Sequence, residues 1–127
     1  MIQVGSMLRV SDNSGAKYAS CIKVLGSHKK RYARIGDKIV VSIVSLRAKR
    51  RSQTKIQKGK VTYGIVIRTK VDKFNKSSLK STFLDNALVL ITQQGKPLAS
   101  RIIGGVPKKI RYTRYMRIAT LSSGILK

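Results

Sequence analysis

The chain has 127 residues, of which 28 are Lys or Arg and four are acidic, giving a formal net charge of +24. The length suits one domain, and an apolar share of 42% supplies a buried core, which excludes a disordered basic tail. All four acids are Asp, so at most four of the cations can be paired within the chain. The remaining charge destabilises the folded state by self-repulsion, which a bound polyanion would relieve.

Five short segments rich in β-branched residues predict strands, because each is bounded by Gly, Asn, Asp or a basic loop. In chain order they cover residues 7–10, 18–25, 38–46, 61–69 and 87–92. Strands of this length and spacing favour an all-β fold, a small five-stranded closed barrel, because closure removes unpaired sheet edges. Gly64, inside the fourth strand, is typical of a bend or bulge at a barrel corner.

Two further segments complete the predicted fold, which we treat as a single domain over residues 1–127. The basic stretch between the third and fourth strands predicts a projecting β-ribbon at about residues 46–60. After Gly104-Gly105 the apolar residues no longer alternate, so short helices are expected at about residues 107–121.

Few residues are suited to catalysis or to binding a metal ion. The chain has one Cys and one His, which excludes an internal disulfide and disfavours a structural zinc site. Cys21 is expected to be a small buried apolar residue, and His28, in a loop of four cations, is expected to be solvated or to face RNA. Asp12 and Asp37 flank turns, where each is expected to cap local backbone N–H groups. We therefore predict no enzyme activity, no cofactor and no metal site.

No segment has the pattern of a membrane span or of a targeting signal. No apolar run approaches the ~20 residues of a membrane helix. The first seven residues lack the charged and apolar regions of a signal peptide, and they lack the Arg-rich amphipathic pattern of a transit peptide. We therefore expect no membrane partner.

Most of the cations are grouped, with four in residues 29–34, seven in 47–60, five in 68–80 and six in 101–117. A solvated basic face is the ordinary reason for such runs, but soluble surfaces mix both signs and acids are scarce here. Membrane binding is disfavoured, because no amphipathic stretch carries bulky apolar residues opposite the cations. Arg beside Tyr, as in Arg31-Tyr32 and Arg114-Tyr115, suits phosphates and bases.

Nucleic acid is therefore the predicted partner. Charge alone does not separate RNA from DNA, although positive loops around a small rigid barrel suit the recognition of structured RNA by shape and backbone. The candidate RNA-binding residues are Lys29, Lys30, Arg31, Arg34, Arg47, Lys49, Arg50, Arg51, Lys55, Lys58, Lys60, Lys76, Lys80, Lys108, Lys109, Arg111 and Arg114.

Several local motifs are more specific than the composition. They are Met1-Ile2-Gln3, Asp12-Asn13-Ser14-Gly15-Ala16, Cys21-Ile22-Lys23-Val24-Leu25-Gly26, Arg31-Tyr32-Ala33, Ile35-Gly36-Asp37, Val66-Ile67-Arg68-Thr69-Lys70, Asp85-Asn86-Ala87-Leu88-Val89-Leu90 and Arg101-Ile102-Ile103-Gly104. Their order and spacing, from residue 1 to about residue 121, resemble the universal large-subunit ribosomal protein fourteen family. Each motif alone is weak, but together they are specific.

The chain departs from the family pattern at a few positions. Ser77-Ser78 stand where a loop Gly is usual, Phe83-Leu84 where the family has a Phe-Asp pair, and Lys109 where it has an acidic residue. Ser122-Ser123-Gly124 replace an Ala-Pro-Glu ending. Several of these changes remove acids, which accounts for part of the excess positive charge.

The resemblance implies a barrel with a projecting ribbon and short C-terminal helices, in a non-catalytic protein on the intersubunit face of the large ribosomal subunit. It implies binding to large-subunit rRNA, bridges to small-subunit rRNA through residues 46–55, and contacts with the neighbouring proteins nineteen and three. In bacterial and organellar relatives a ribosome-silencing factor docks on the face that corresponds to Ser100, Arg101 and Arg117. No homo-oligomer is implied.

The compartment is predicted from the same resemblance. The similarity begins at Met1, whereas cytosolic eukaryotic relatives have longer N-termini, and bacterial and plastid relatives keep more acids. We predict an organelle-encoded protein of the mitochondrial ribosome, with the bacterial cytoplasm or a plastid as the alternatives.

Two other classes of function remain open from the sequence. A free nucleic-acid-binding barrel, such as a nucleoid protein or a translational regulator, would bind duplex DNA and RNA comparably, with a steep salt dependence. An RNA-modifying enzyme would need a titrating acid–base pair placed together, for which the sequence offers little.

Overall fold

A computed structural model describes residues 1–48, 56–71 and 82–126. The candidate residues Lys49, Arg50, Arg51, Lys55, Lys76 and Lys80 lie outside these ranges. The described elements, in chain order, are β1 (Met7–Val10), β2 (Ala16–Val24), β3 (Lys38–Leu46), β4 (Val61–Arg68), β5 (Ala87–Ile91), β6 (Ile102–Pro107), a 3-10 helix (Lys108–Tyr112), α1 (Met116–Leu121) and β7 (Ser122–Leu126).

The first five strands close into a barrel in the order β1-β2-β3-β4-β5. Neighbouring strands pair antiparallel except at the seam, where β1 and β5 pair parallel, with Arg9 opposite Ala87 and Val10 opposite Leu88. The predicted closed five-stranded barrel is therefore confirmed. The predicted strands at residues 7–10 and 38–46 have the observed bounds, and the other three differ by at most two residues at either end.

The base of the predicted ribbon continues the pairing of β3 with β4. Ile43 N donates to Lys60 O at 3.0 Å, and Gly59 N donates to Ile43 O at 2.8 Å. Residues 49–55, which would form the tip, lie outside the described residues. The projecting ribbon as a whole therefore stays a prediction.

The strand β5 is buried on both of its faces, and all five of its residues are inaccessible to solvent. Leu88 and Leu90 belong to the cluster that fills the barrel. Val89 belongs to a second cluster outside the barrel, together with Ile110 and Ile118 from the C-terminal segment. A strand covered on both faces has a continuous apolar sequence, which explains the run of residues 87–91.

The C-terminal segment contains the expected short helices and also two strands that the sequence did not predict. The strands β6 and β7 pair parallel, with Val106 opposite Ile125, and the 3-10 helix and α1 form the crossover that parallel strands need. Gly and Ser are poor strand formers, so Gly104-Gly105 and Ser122-Ser123-Gly124 concealed both strands. Tertiary pairing overrides the local sequence preference here.

Gly64 does not mark a bulge, which is one of the two features that the sequence suggested. The register between β3 and β4 is continuous across it, from Lys38 opposite Ile65 to Ser42 opposite Val61. A Cβ atom on Gly64 would lie 3.1 Å from Leu88 Cδ1. The glycine therefore makes room for a core side chain on the neighbouring strand.

Asp12 is fully buried just after the end of β1, and its carboxylate joins the adjacent turn to β5. Oδ1 accepts hydrogen bonds from Ser14 Oγ and from Ser14 N, the latter at 3.0 Å, and Oδ2 accepts one from Leu90 N at 3.0 Å. The predicted capping of the turn is confirmed, and the bond to β5 is an addition. Burial raises the pKa of this carboxyl, against the opposing effect of its hydrogen bonds.

Arg68, at the end of β4, contacts the residue that follows β1 and the loop that precedes β5. Its guanidinium donates to Ser11 Oγ, and its Nε lies 3.4 Å from Asp85 Oδ1. Gly104 has a φ of +88°, and a Cβ atom there would overlap Arg68 Nη1. The absence of a side chain at Gly104 therefore allows the Arg68 guanidinium to lie between the barrel and β6.

The variant Asp12→Asn is expected to lose about 1–3 kcal/mol of unfolding free energy. An amide offers one acceptor oxygen, so either the Leu90 N–H or the Ser14 N–H would face an NH₂ group inside the protein. Urea denaturation followed by circular dichroism measures the loss. A midpoint equal to that of the wild type would contradict the role given to Asp12.

The variant Gly104→Ala is expected to destabilise the fold more than Gly5→Ala. Both glycines have φ near +88°, so both variants incur the backbone cost of about 1–2 kcal/mol. A Cβ on Gly5 would have no atom within 4 Å, whereas one on Gly104 displaces Arg68. Thermal unfolding of the two variants isolates the Arg68 contribution, and equal melting temperatures would refute it.

Candidate nucleic-acid interface

Most of the predicted RNA-binding residues that the structure describes are exposed to solvent. The exposed ones are Lys29, Arg31, Arg34, Lys58, Lys60, Lys108, Lys109, Arg111 and Arg114, and the half-buried ones are Lys30 and Arg47. Surface exposure leaves their charges available to a partner, and the binding of RNA by these residues stays a prediction.

Two of the predicted basic groups meet at one cavity of about 540 Å³, which we call the loop cavity. Its described lining consists of Met1, Lys30, Arg31, Tyr32, Arg34, Ile35, Gly36, Asp37, Lys109 and Thr113. The loop before β3 supplies three of the cations, and the 3-10 helix supplies Lys109. The fold thus joins cations that are far apart in the sequence into one concave surface.

Hydrogen bonds hold the loop side of this cavity in place. Ala33 forms a two-bond bridge with Ile2, with N···O distances of 2.9 and 2.6 Å. Asp37 Oδ2 accepts from Arg34 N at 2.7 Å, and Asp37 Oδ1 lies 2.8 Å from Lys30 Nζ. The predicted capping by Asp37 is therefore confirmed, and the same carboxylate also pairs with a cation.

The opposite side of the loop cavity is formed where the 3-10 helix ends. Ile110 is fully buried in the second core cluster, which anchors the helix to the barrel. Thr113 closes the helix, because its Oγ1 donates to Ile110 O at 2.7 Å and accepts from Tyr115 N at 3.2 Å. A Cβ on Gly36 would lie 3.1 Å from Thr113 Cγ2, so the two sides of the cavity are in close contact.

The loop cavity has a surplus of positive charge. Asp37 is the acid among its described lining residues, and it is paired with Lys30. Arg31, Arg34 and Lys109 form no ion pair with a carboxylate in the part of the chain that the structure describes. Three cations thus face solvent around one concavity, which is the pattern expected for an anion.

A second basic cavity, of about 410 Å³, lies on the strands, and sequence reasoning missed it. We call it the strand cavity, and its described lining consists of Arg9, Lys17, Tyr18, Arg47 and Ile103. Arg47 alone among these was a candidate, because Arg9 and Lys17 lie within strands and outside the charge groups. The pairing of β1 with β2 would have identified them, because it sets Arg9 opposite Tyr18.

Two of the three candidate residues for a protein partner are joined by hydrogen bonds. Asn13 Nδ2 donates to Ser100 Oγ at 3.2 Å, and Arg101 N donates to Asn13 Oδ1 at 3.3 Å. Arg117 is exposed on α1, and among the described residues no hydrogen bond or ion pair links its side chain to the other two. The side chain of Asn13 therefore holds Ser100 and Arg101, whereas Arg117 is positioned by α1.

The two residues considered for catalysis, Cys21 and His28, line neither of the two cavities. Cys21 is 2% exposed, and burial raises the pKa of its thiol, which disfavours the reactive thiolate. His28 is exposed in the basic loop. Within the described ranges, no three His, Cys, Asp or Glu side chains cluster as metal ligands would.

No helix in the described ranges has the length and apolar character to span a membrane.

Comparison with known protein families agrees with the motifs quoted above. A family model described as ribosomal protein L14p/L23e matches residues 1–126, which include the barrel, both cavities and the C-terminal segment. The family is structural and non-enzymatic, and its members are components of the large ribosomal subunit. The chain thus belongs to the ribosomal protein L14p/L23e family and has a structural role in the large subunit of the ribosome.

Proposed function

We propose that this chain binds folded large-subunit ribosomal RNA through the loop cavity and the exposed cations around it. The observation that carries the proposal is the convergence of Arg31, Arg34 and Lys109 on one concave surface without acidic partners among the described residues. Each cation that neutralises a phosphate releases a counterion from the RNA, which favours binding. The bound RNA in turn relieves the self-repulsion of the +24 charge.

The side chains of the loop cavity suit a phosphate backbone. The planar guanidinium groups of Arg31 and Arg34 match phosphate oxygens in a two-bond geometry. Tyr32, between them in the sequence, is 47% exposed and offers a ring face or a hydroxyl group. The hydrogen bonds of Ala33 and Asp37 order the loop before it binds, so little conformational entropy is lost on association.

The proposal extends to the partners that the family resemblance implies. These are small-subunit rRNA, reached by the ribbon at about residues 46–60, and the neighbouring proteins nineteen and three. A ribosome-silencing factor would dock at Ser100, Arg101 and Arg117, and the exposure of all three supports this. The chain has no Glu and a total of four acids, whereas bacterial and plastid relatives keep more, and this supports a mitochondrial ribosome over a bacterial or plastid one. The proposed function has no catalytic step.

The double variant Arg34→Gln/Lys109→Gln is expected to bind a structured rRNA fragment at least tenfold more weakly at 0.1 M salt. Loss of two phosphate contacts also lowers the slope of log K against log salt by about 1.4–1.8. Fluorescence anisotropy over a salt series measures both quantities. The matched control is Lys23→Gln/Lys96→Gln, which removes two exposed cations that line neither cavity. Equal losses in the two double variants would mean that the loop cavity has no special part.

The native protein is expected to sediment with large ribosomal subunits when organelle or cell extracts are separated on sucrose gradients. The gradients are run at low salt, because binding through several phosphate contacts weakens steeply as the salt concentration rises. Immunoblotting of the gradient fractions reads the distribution. Recovery of the protein only in light fractions, or on DNA, would favour the free nucleic-acid-binding barrel.

A further inference from the structure

An irregularity in β2 exposes two consecutive side chains that a regular strand would direct to opposite faces. Ala16 pairs with Leu46 and Tyr18 pairs with Ser45, so Lys17 has no partner residue on β3. Lys17 and Tyr18 are both exposed as a result, with Tyr18 at 40%. Bulges of this kind redirect side chains and are frequent beside functional sites.

The redirected pair lies in the strand cavity among further cations. Arg9 stands opposite Tyr18 across the β1–β2 pair, so their side chains are neighbours on one face. Lys17 Nζ lies 5.6 Å from the centre of the Tyr18 ring. The described lining contains three cations, one aromatic ring and the half-exposed Ile103, and it contains no acid.

Two of the cations have contacts outside the cavity, and these contacts differ in strength. Arg47 Nη2 donates to Val10 O at 3.1 Å, and the backbone N–H of Arg47 donates to Gly15 O at 2.8 Å. Arg9 Nη1 lies 4.0 Å from Asp85 Oδ2, which is a distant and exposed ion pair. Arg47 is thus fixed, while Arg9 is free to turn toward an anion because its exposed pair contributes little.

We propose that the strand cavity binds one unpaired RNA nucleotide, with its base stacked against Tyr18 and its phosphate held by Arg9 and Arg47. An aromatic ring beside phosphate-binding cations is the combination that single-stranded nucleic acids need. A base inside a duplex is stacked between its neighbours and cannot reach a ring on the barrel wall. The unpaired nucleotide is therefore the occupant that uses both the ring and the charges.

The site is separate from the loop cavity. Asp37 of the loop cavity precedes β3 and Arg47 of the strand cavity follows it, so the nine residues of β3 separate the two by roughly 30 Å. The inference rests on the proposed function, because the RNA must be drawn to the barrel by its general charge. It adds a preference for unpaired over paired RNA at a named position.

The test compares two labelled RNAs of equal length, a 12-nucleotide single strand and a blunt duplex of 12 base pairs, in fluorescence anisotropy with the full chain. Tyr18→Ala is expected to weaken binding of the single strand about tenfold, which is the effect of losing one stacked base. Binding of the duplex is expected to change less than twofold. Tyr18→Phe keeps the ring and is expected to bind both RNAs as the wild type does.

Tyr112→Ala is the matched control, because Tyr112 is 78% exposed and lines neither cavity. It is expected to change neither affinity more than twofold. Circular dichroism spectra identical to the wild type establish that each variant is folded. In addition, a single strand that carries 4-thiouridine is expected to crosslink, under ultraviolet light, to the peptide that contains Lys17 and Tyr18.

The outcomes separate this inference from the proposed function. Equal losses for the single strand and the duplex in Tyr18→Ala, or no loss for either, would overturn the nucleotide site while leaving general RNA binding intact. A wild-type chain that binds neither RNA would overturn the proposed function as well. Crosslinks confined to peptides of the loop cavity would assign the unpaired strand to that cavity instead.

Discussion

Burial of β5 on both faces is the constraint on which both basic cavities depend. Its inner side chains complete the barrel core, and its outer ones, such as Val89, pack against Ile110 and Ile118. The C-terminal segment held by this contact then supplies Lys109 to the loop cavity and Ile103 to the strand cavity. One apolar strand therefore positions a cation of one cavity and an apolar wall residue of the other.

The scarcity of acids decides how the charge is distributed around this core. Asp12 is used inside the protein, where it accepts hydrogen bonds from Ser14 and Leu90. Asp37 and Asp85 form the ion pairs found among the described residues, with Lys30, Arg9 and Arg68 as their partners. Among the described residues, the cavity cations Arg31, Arg34 and Lys109 consequently have no carboxylate partner. The three described acids thus serve mainly to hold the fold together, and the surplus of cations remains at the surface for the proposed binding of RNA.

The barrel could be predicted from the sequence because its strands have strong local patterns, such as the β-branched run of residues 38–46 and the apolar run of residues 87–91. The cations of the loop cavity were each predicted from the sequence. Their convergence on one cavity was not, because only the folded chain brings Lys109 beside Arg34. The strand cavity was not predictable. It depends on the bulge at Lys17, which alternation in the sequence does not reveal, and on Ile103 in β6, a strand concealed by its glycines.

The parallel seam of the barrel has a consequence for how the chain folds during synthesis. Val10 meets Leu88 only when more than half of the polypeptide has been made, and at about 5–20 residues per second this takes several seconds. Until then β1 and β2 expose an unpaired edge, which is where nascent chains associate with one another. Because the growing polypeptide is strongly cationic, neighbouring copies repel each other during this interval. The charge that the proposed binding of RNA would use thus also protects the open barrel from aggregation before closure.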